Sequence, residues 1–125
     1  MNVVDSSGWI EYFAQGENIN FFVAPIQDIE RLIVPTICIY EVFKRLLAER
    51  DEDSALLAVG IMSHGREVEL DRNLALEAAQ ISRELKLAMA DSVILATARA
   101  YNATLWTQDE HFKGLPDVQY IEKKR

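Results

Sequence analysis

Strand-like and helix-like segments alternate along this chain, and the alternation restricts its fold more than any other feature of the sequence. Short segments with apolar or alternating patterns, which predict strands, lie at 2–4, 32–35, 67–70, 104–107 and 118–121. Segments with helical periodicity lie between most of them, at 8–14, 25–32, 37–50, 51–65, 72–85 and 90–102. Strands separated by helices need crossover connections, which are right-handed and give a mainly parallel sheet. We therefore predict an α/β fold with three layers, a central sheet and helices on both of its faces.

Polar residues at the ends of the periodic segments predict where helices begin. Ser6 or Ser7 can cap the first helix, because a hydroxyl oxygen accepts a hydrogen bond from a free backbone N–H group. Asp71 can cap the helix over 72–85 in the same way. Apolar residues of that helix recur on one side, and they predict a buried face of Leu74, Ala78, Ile81 and Leu85.

The length and composition are those of one domain, which we place over residues 1–125. Half of the residues are hydrophobic, which is enough for a sizeable core. No apolar run reaches the roughly 18–20 residues that cross a bilayer, and no basic segment followed by an apolar one marks a signal peptide. Cys38 is the single cysteine, so no internal disulfide can form. These features predict a cytoplasmic protein without a membrane segment.

The formal net charge of −7 and the pI of about 4.8 restrict how this chain can bind anionic partners. Broad electrostatic adhesion to nucleic acid or to anionic lipid needs a positive surface, so the overall charge argues against it. Divalent cations held by the protein's own carboxylates reverse the local field and allow a phosphate to bind. The charge therefore leaves a local, cation-mediated phosphate site open.

Four acidic residues stand among apolar neighbours, where an unpaired carboxylate has a large desolvation cost. Asp5 directly follows the strand-like "NVV", and Asp109 lies two residues after "TLWT". Glu41 lies within "ICIYEVF", and Asp91 lies within "LAMADSVILA". Local interpretations stay open for each: a turn or cap at Asp5, a surface pair of Glu41 with Lys44 or Arg45, a first-turn acid at Asp91 and a loop residue at Asp109.

A parallel sheet can bring the four carboxylates together, because two follow strands and two lie near the starts of helices. Clustered carboxylates cannot all stay ionised without compensation, so their pKa values rise or a cation binds. Mg²⁺ and similar hard ions prefer oxygen ligands, and one or two of them can activate water and stabilise a phosphodiester under attack. The histidines and the cysteine lack the spacing of a zinc site, and the sequence has no glycine-rich phosphate loop.

Three segments in this order resemble the PIN domain: "VVDSSGWIEYF", "VPTICIYEVFKRL" and "ADSVILATARAYNATLWTQDEHF". Within that superfamily they are similar to the toxin ribonucleases of VapBC toxin–antitoxin pairs, and the resemblance spans nearly the whole chain. It implies a three-layer α/β/α PIN-like fold and an endoribonuclease that depends on Mg²⁺ or Mn²⁺. It also implies an RNA substrate, a cognate antitoxin protein and a homodimer.

The resemblance also assigns roles to individual residues. Ser6 and Thr107 would support the site with hydroxyl groups that bond a carboxylate or a phosphate oxygen. Cys38 stands where the family suggests Thr or Ser, and we expect it to be a small buried residue instead. The residues that match the family's catalytic acids, and that would hold the metal ion, are Asp5, Glu41, Asp91 and Asp109.

Other residues near these motifs have roles that the sequence leaves open. Glu110 follows Asp109 directly and can share its role, and His111 can move protons beside it. Basic residues predict a rim that binds the substrate; the candidates are Arg31, Lys44, Arg45, Arg50 and the tail over 123–125.

Two other functional classes compete with the ribonuclease. A PIN-like domain without catalysis would bind RNA or a protein partner, although the presence of all four acids argues against a degenerate site. A phosphoaspartate receiver is also doubly wound with acids at strand ends, but its adjacent acids after the first strand do not match "DSS". We therefore favour the metal-dependent ribonuclease toxin.

Overall fold

A parallel five-stranded sheet forms the centre of the computed structural model, which describes residues 1–124. The strands lie in the order β3-β2-β1-β4-β5, and every neighbouring pair is parallel. All carboxyl ends therefore lie at one edge of the sheet, as the alternation of segments predicts. The strands are β1 (Asn2–Val4), β2 (Leu32–Pro35), β3 (Arg66–Val68), β4 (Thr104–Thr107) and β5 (Val118–Tyr120).

Six α-helices connect or flank these strands. The chain runs outward from β1 to β3 and then returns past β1 to β4 and β5, so right-handed crossovers place helices on opposite faces. This order differs from the 2-1-3-4-5 order of receiver-type sheets, which argues further against the receiver. The helices are α1 (Ser6–Ala14), α2 (Ile19–Gln27), α3 (Thr36–Glu49), α4 (Glu52–Met62), α5 (Arg72–Leu85) and α6 (Met89–Ala100).

The core lies on both faces of the central strands. Val3 and Val4 of β1 and Ile33 and Val34 of β2 are fully buried, as expected for strands that helices cover on both sides. Helix α6 is buried over the whole of 92–98, so more than one side of this helix contacts other elements. None of the helices within residues 1–124 is long and apolar enough to cross a membrane.

The helix predicted over 25–32 is wrong, because the structure places α2 earlier in the chain. Phe22, Pro25 and Ile26 are buried on the side of α2 that packs against β1 and β2. This burial offsets the hydrogen bond that Pro25 removes inside the helix. Residues Ile29–Arg31 form a short 3₁₀ turn instead, and it leads directly into β2.

The region from β3 to α5 needs two smaller corrections. Strand β3 ends at Val68, two residues before the predicted end at position 70. The Asp71 cap is confirmed, since its carboxylate accepts a hydrogen bond from Leu74 N at 2.9 Å. The predicted buried face of α5 is correct at Leu74, Ala78 and Ile81 but wrong at Leu85, which is exposed in the last turn of the helix.

Candidate active site

The four acidic residues singled out in the sequence all line one cavity at the carboxyl edge of the sheet. Asp5 directly follows β1, and Asp109 lies just beyond the end of the neighbouring strand β4. Glu41 projects from α3 and Asp91 from the first turn of α6. The cavity has a volume of about 410 Å³ and lies where connections leave β1 and β4 in opposite directions. Doubly wound sheets bind their ligands at such a switch point.

Asp5 is the cap of α1 and a wall of the cavity at the same time. Its Oδ1 accepts hydrogen bonds from Ser7 Oγ at 2.7 Å and from Gly8 N at 3.0 Å. Its Oδ2 accepts a hydrogen bond from Thr107 Oγ1 at 2.6 Å. The prediction of Ser6 or Ser7 as the cap is therefore wrong, because the carboxylate takes that place and Ser7 donates to it.

Gly8 lets the first turn of α1 approach the sheet closely. A Cβ atom at this position would lie 2.6 Å from both Phe22 Cε1 and Val4 Cγ1. Such a distance is a severe overlap, so α1 would have to shift away from β1. The glycine thus keeps its backbone N–H within hydrogen-bond distance of the Asp5 carboxylate.

Burial sets the acidity of the carboxylates in this cavity. It raises the pKa of Asp5 from 3.8 to about 6, and the hydrogen bonds from Thr107, Ser7 and Gly8 reverse the effect only in part. Burial also raises the pKa of Asp91, and the nearby charge of Asp109 raises it further. Four carboxylates line the cavity against two cationic side chains, those of Lys44 and Arg45, and a bound cation relieves such an imbalance.

Glu41 is held by a hydroxyl group of another helix. Ser6 Oγ donates a hydrogen bond to Glu41 Oε1 at 2.6 Å, which links the start of α1 to α3. The alternative surface pair with Lys44 or Arg45 is not formed, since Arg45 pairs with Glu49 and no ion pair within residues 1–124 includes Glu41.

Asp91, Asp109 and His111 form a tight group on the other side of the cavity. His111 Nδ1 lies 3.2 Å from Asp109 Oδ1 and 3.6 Å from Asp91 Oδ2. One ligand atom of each residue lies within 4.8 Å of the others. Thr107 connects this group to Asp5, because its Oγ1 accepts a hydrogen bond from Asp109 N at 2.9 Å while donating to Asp5.

The structure places His111 beside two of the acids, and it places Glu110 outside the acidic cavity. The His111 backbone N–H donates to Asp109 Oδ1 at 2.9 Å, and this tight turn directs the imidazole toward the two carboxylates. An aspartate side chain commonly bonds the backbone N–H two residues further on, so Asp109 is the sequence signal for this turn and the histidine occupies its last position. Glu110 lines a neighbouring cavity instead.

Cys38 is fully buried beneath the site, as expected. Its Sγ lies 3.8 Å from the carbonyl oxygen of Val4, and burial raises the pKa of the thiol far above its ordinary value. A thiol in this state is inert and acts as a small apolar residue. The family resemblance suggests a hydroxyl group at this position, whereas the Cys38 side chain packs in the core.

Two of the predicted rim residues reach the acidic cavity. Lys44 and Arg45 of α3 line it. Arg31 and Arg50 do not, since Arg31 pairs with Asp28 at 3.2 Å and Arg50 donates a hydrogen bond to the Phe13 carbonyl at 3.1 Å. Of the tail, Lys123 and Lys124 line the neighbouring cavity, and position 125 lies outside the described residues.

The donor atoms in the cavity suit a hard divalent cation. Four carboxylates line it, and one imidazole lies beside two of them. Oxygen-rich sites of this kind hold Mg²⁺ or Mn²⁺. Burial raises the pKa of Asp5 and of Asp91 and so opposes their ionisation, which a bound cation would favour. The donor set therefore fits an acidic metal site.

Fold and site together define a doubly wound α/β protein with an acidic cavity at the switch point of its sheet. The family model of the PIN domain matches residues 3–118, and the chain belongs to the PIN-domain family. No curated protein sequence matches the chain significantly.

Solved structures with the same fold include proteins of toxin–antitoxin systems. A toxin–antitoxin complex from Klebsiella pneumoniae has 21% identity and a TM-score of 0.78, and the match covers 95% of this chain and 96% of that one. VapC20 of Mycobacterium tuberculosis, a toxin that cleaves the sarcin–ricin loop, has 16% identity and a TM-score of 0.77 over 94% and 98%. FitAcB of Neisseria gonorrhoeae has 20% identity and a TM-score of 0.72 over 98% and 97%. At these identities the likeness establishes the fold.

Proposed function

We propose that this protein is a metal-dependent endoribonuclease and the toxin of a VapBC-type toxin–antitoxin pair. The observation that carries the proposal is the convergence of Asp5, Glu41, Asp91 and Asp109 in one cavity of a PIN-domain fold. The similar solved structures support it, because they include a toxin–antitoxin complex and a toxin that cleaves the sarcin–ricin loop.

The four acids are the proposed ligands of Mg²⁺ or Mn²⁺. Asp91 and Asp109 already place oxygen atoms close together, with His111 beside them. A bound cation of this kind lowers the pKa of water and offsets the negative charge of a phosphodiester under attack. Asp5 contributes a carboxylate whose orientation is fixed by Ser7, Gly8 and Thr107.

In this proposal the remaining residues of the cavity bind the substrate or orient the carboxylates. Ser6 holds Glu41 through its hydroxyl group, and Thr107 keeps the loop after β4 in register with Asp5. Lys44 and Arg45 supply positive charge on the rim, where it attracts the phosphates next to the cleaved bond. His111 Nδ1 lies 3.2 Å from Asp109 Oδ1, so the imidazole helps to position that carboxylate.

The proposed partners are a cognate antitoxin and a second copy of this chain. Both follow from the resemblance to VapBC toxins, and one similar solved structure is itself a toxin–antitoxin complex. The surface offers apolar side chains that a partner would cover, including Leu57 at 68% exposed and Met89 at 73% exposed. Light scattering of the purified protein, alone and with the co-expressed antitoxin, measures both associations.

Cleavage of total cellular RNA by purified, partner-free protein tests the ribonuclease. The reaction is run with Mg²⁺, with Mn²⁺ and with EDTA, beside the Asp5→Asn variant. Asp28→Asn is the matched control, because Asp28 is an aspartate paired to Arg31 outside the acidic cavity. We expect discrete fragments that require both the cation and Asp5 and that persist in Asp28→Asn. Cation binding without any cleavage would favour the non-catalytic binding module instead.

A further inference from the structure

We propose that Tyr40 and Tyr120 bind the bases on the two sides of the phosphate that the acidic site would cleave. The inference rests on the proposed ribonuclease function and names base-binding residues of the same site. It starts from a second cavity, of about 620 Å³, which lies beside the acidic one of about 410 Å³. Both cavities are lined by Ser7 and Asp109, so a chain that passes over Asp109 enters both.

Each cavity has a tyrosine in its wall. Tyr40 of α3 lines the acidic cavity next to Glu41, and its side chain is 60% exposed. Tyr120, at the end of β5, lines the second cavity and is half-buried. Within residues 1–124 neither ring pairs with another aromatic ring, whereas Tyr12 contacts both Trp9 and Phe13. The two rings are thus free of the aromatic packing that occupies Tyr12.

A lysine lies over each of these two rings. Lys44 Nζ is 5.7 Å from the centroid of Tyr40, and Lys113 Nζ is 5.7 Å from the centroid of Tyr120. An aromatic ring with a cation on one face leaves its other face for a base, while the cation is placed to meet the adjoining phosphate. Proteins that bind single strands combine stacking and positive charge in this way.

The charges of the second cavity favour a base over a phosphate at its wall. Lys123 and Lys124 line it, but three acids line it as well, namely Asp109, Glu110 and Glu122. The acids outnumber the lysines, so an uncharged base stacked on Tyr120 fits this wall better than an anionic backbone. Because the whole protein carries a net charge of −7, base stacking has to supply much of the affinity.

Two stacking sites on opposite sides of one phosphate exclude paired RNA. Bases in an A-form duplex are stacked on each other and lie behind a deep, narrow groove that side chains cannot enter. Unpaired bases in loops or single strands can turn outward and stack on aromatic side chains. The substrate is therefore a loop or an unpaired segment in which the bases flanking the cleaved bond are free.

Binding to a cleavage-inactive protein tests the inference separately from catalysis. The probe is a fluorescent ten-nucleotide RNA of random sequence, measured by anisotropy with Asp5→Asn protein and Mg²⁺, alone and annealed to its complement. We expect the single strand to bind and the duplex to bind at least about tenfold more weakly. Tyr40→Leu and Tyr120→Leu should each weaken single-strand binding roughly tenfold, and Tyr40→Phe and Tyr120→Phe should retain it.

Tyr101→Leu is the matched control, because Tyr101 also carries a cation over its ring. Arg66 lies 5.1 Å from its centroid, but this pair sits at the amino ends of the strands, away from both cavities. Melting temperatures establish that each leucine variant is folded. As a second measurement, ultraviolet crosslinking of a 4-thiouridine-containing strand should label the peptides that contain Tyr40 and Tyr120.

The outcomes separate this inference from the ribonuclease proposal. Equal binding of the duplex, or leucine variants that bind like the parent and crosslinks elsewhere, would overturn the assignment of the two tyrosines. Absence of any RNA binding would overturn it as well. Wild-type protein that cuts no RNA, with tyrosine-dependent binding intact, would remove the ribonuclease and leave the single-strand site.

Discussion

The carboxylate that follows β1 and the carboxylate that follows β4 line the same cavity, but the fold holds them in different ways. Asp5 is 3% exposed and accepts hydrogen bonds from two hydroxyl groups and one backbone N–H. Asp109 is partly exposed, and its side chain contacts groups of its own loop, chiefly His111. Asp5 is therefore fixed by the core, whereas the position of Asp109 depends on a surface turn.

This difference indicates where the site tolerates amino-acid replacement. Groups that orient Asp5 are part of the packing between α1, β1 and β4, so their loss affects both folding and chemistry. Gln108 and Phe112 anchor the loop after β4 in the core, but the Asp109 carboxylate itself is partly exposed and accepts its hydrogen bond within its own turn, so the groups around it can adjust. The four predictions below test this contrast, from the largest expected effect to the smallest.

Removing a carboxylate charge from either side should abolish cleavage. Asp5→Asn and Asp91→Asn keep the shape of the side chain but lose a negative ligand, which we expect to lower the cleavage rate roughly a thousandfold or more. Initial rates on the preferred RNA in Mn²⁺ measure the effect, and circular dichroism checks the fold. Full activity in either variant, at matched purity, would remove that residue from the site.

In the metal-free protein, Asp5 should make stability depend on pH. Its pKa is about 6 when folded and 3.8 when unfolded, so its contribution is fully present below pH 3.8 and is lost as the pH rises through 6. At 1.36 kcal/mol per unit, we expect wild type to lose about 3 kcal/mol relative to Asp5→Asn between pH 3.5 and 7.

Urea unfolding in EDTA at several pH values measures this difference. Mn²⁺ at pH 7 should reduce it, because the cation favours the ionised carboxylate. A wild-type stability that runs parallel to that of the variant at every pH would show that the Asp5 pKa is not raised.

Thr107 connects the two halves of the site, so its replacement tests whether they depend on each other. Thr107→Val keeps the buried shape but loses the hydrogen bond to Asp5 and the one from Asp109 N. We expect a loss of Mn²⁺ affinity or activity of about 10- to 100-fold, which is typical when a group that orients a metal ligand is removed. Thr107→Ser should restore most of it, since only a methyl group is missing.

His111 should have the smallest effect, because its side chain is 66% exposed. His111→Ala should lower Mn²⁺ affinity only about threefold and Mg²⁺ affinity less, since imidazole is a poorer ligand for Mg²⁺. Titration of both ions by calorimetry compares them. A loss as large as that of Asp91→Asn would place His111 among the essential ligands and weaken the contrast between the two sides.

The sequence predicts the parts of this molecule that depend on local pattern. Strands at 2–4, 32–35 and 104–107 match the structure because short apolar runs beside helical segments have few other folds available. The convergence of the acids follows from the same logic, since carboxyl ends of parallel strands share an edge. Their roles as metal ligands stay predictions that the experiments above test.

Other features depend on contacts that no local pattern contains. Helix α2 includes Pro25 and an apolar run without clear periodicity, so only its packing on the sheet identifies it. Strand order is also invisible locally, because the same alternation fits several doubly wound sheets. The sequence allows Asp5 to be a cap or a site residue, and the structure makes it both. His111 gains its place from a turn around Asp109.

The double use of Asp5 has a consequence for genetic selection. If the proposed toxicity holds, selection for survivors would favour loss of Asp5 for two reasons. An alanine there removes a proposed ligand and also the helix cap, which is worth about 1 kcal/mol. Asp91 is not a cap but a first-turn acid of α6, so its replacement leaves every helix cap in place. An inactive reagent for isolating the antitoxin is therefore better made by Asp91→Asn than by Asp5→Ala.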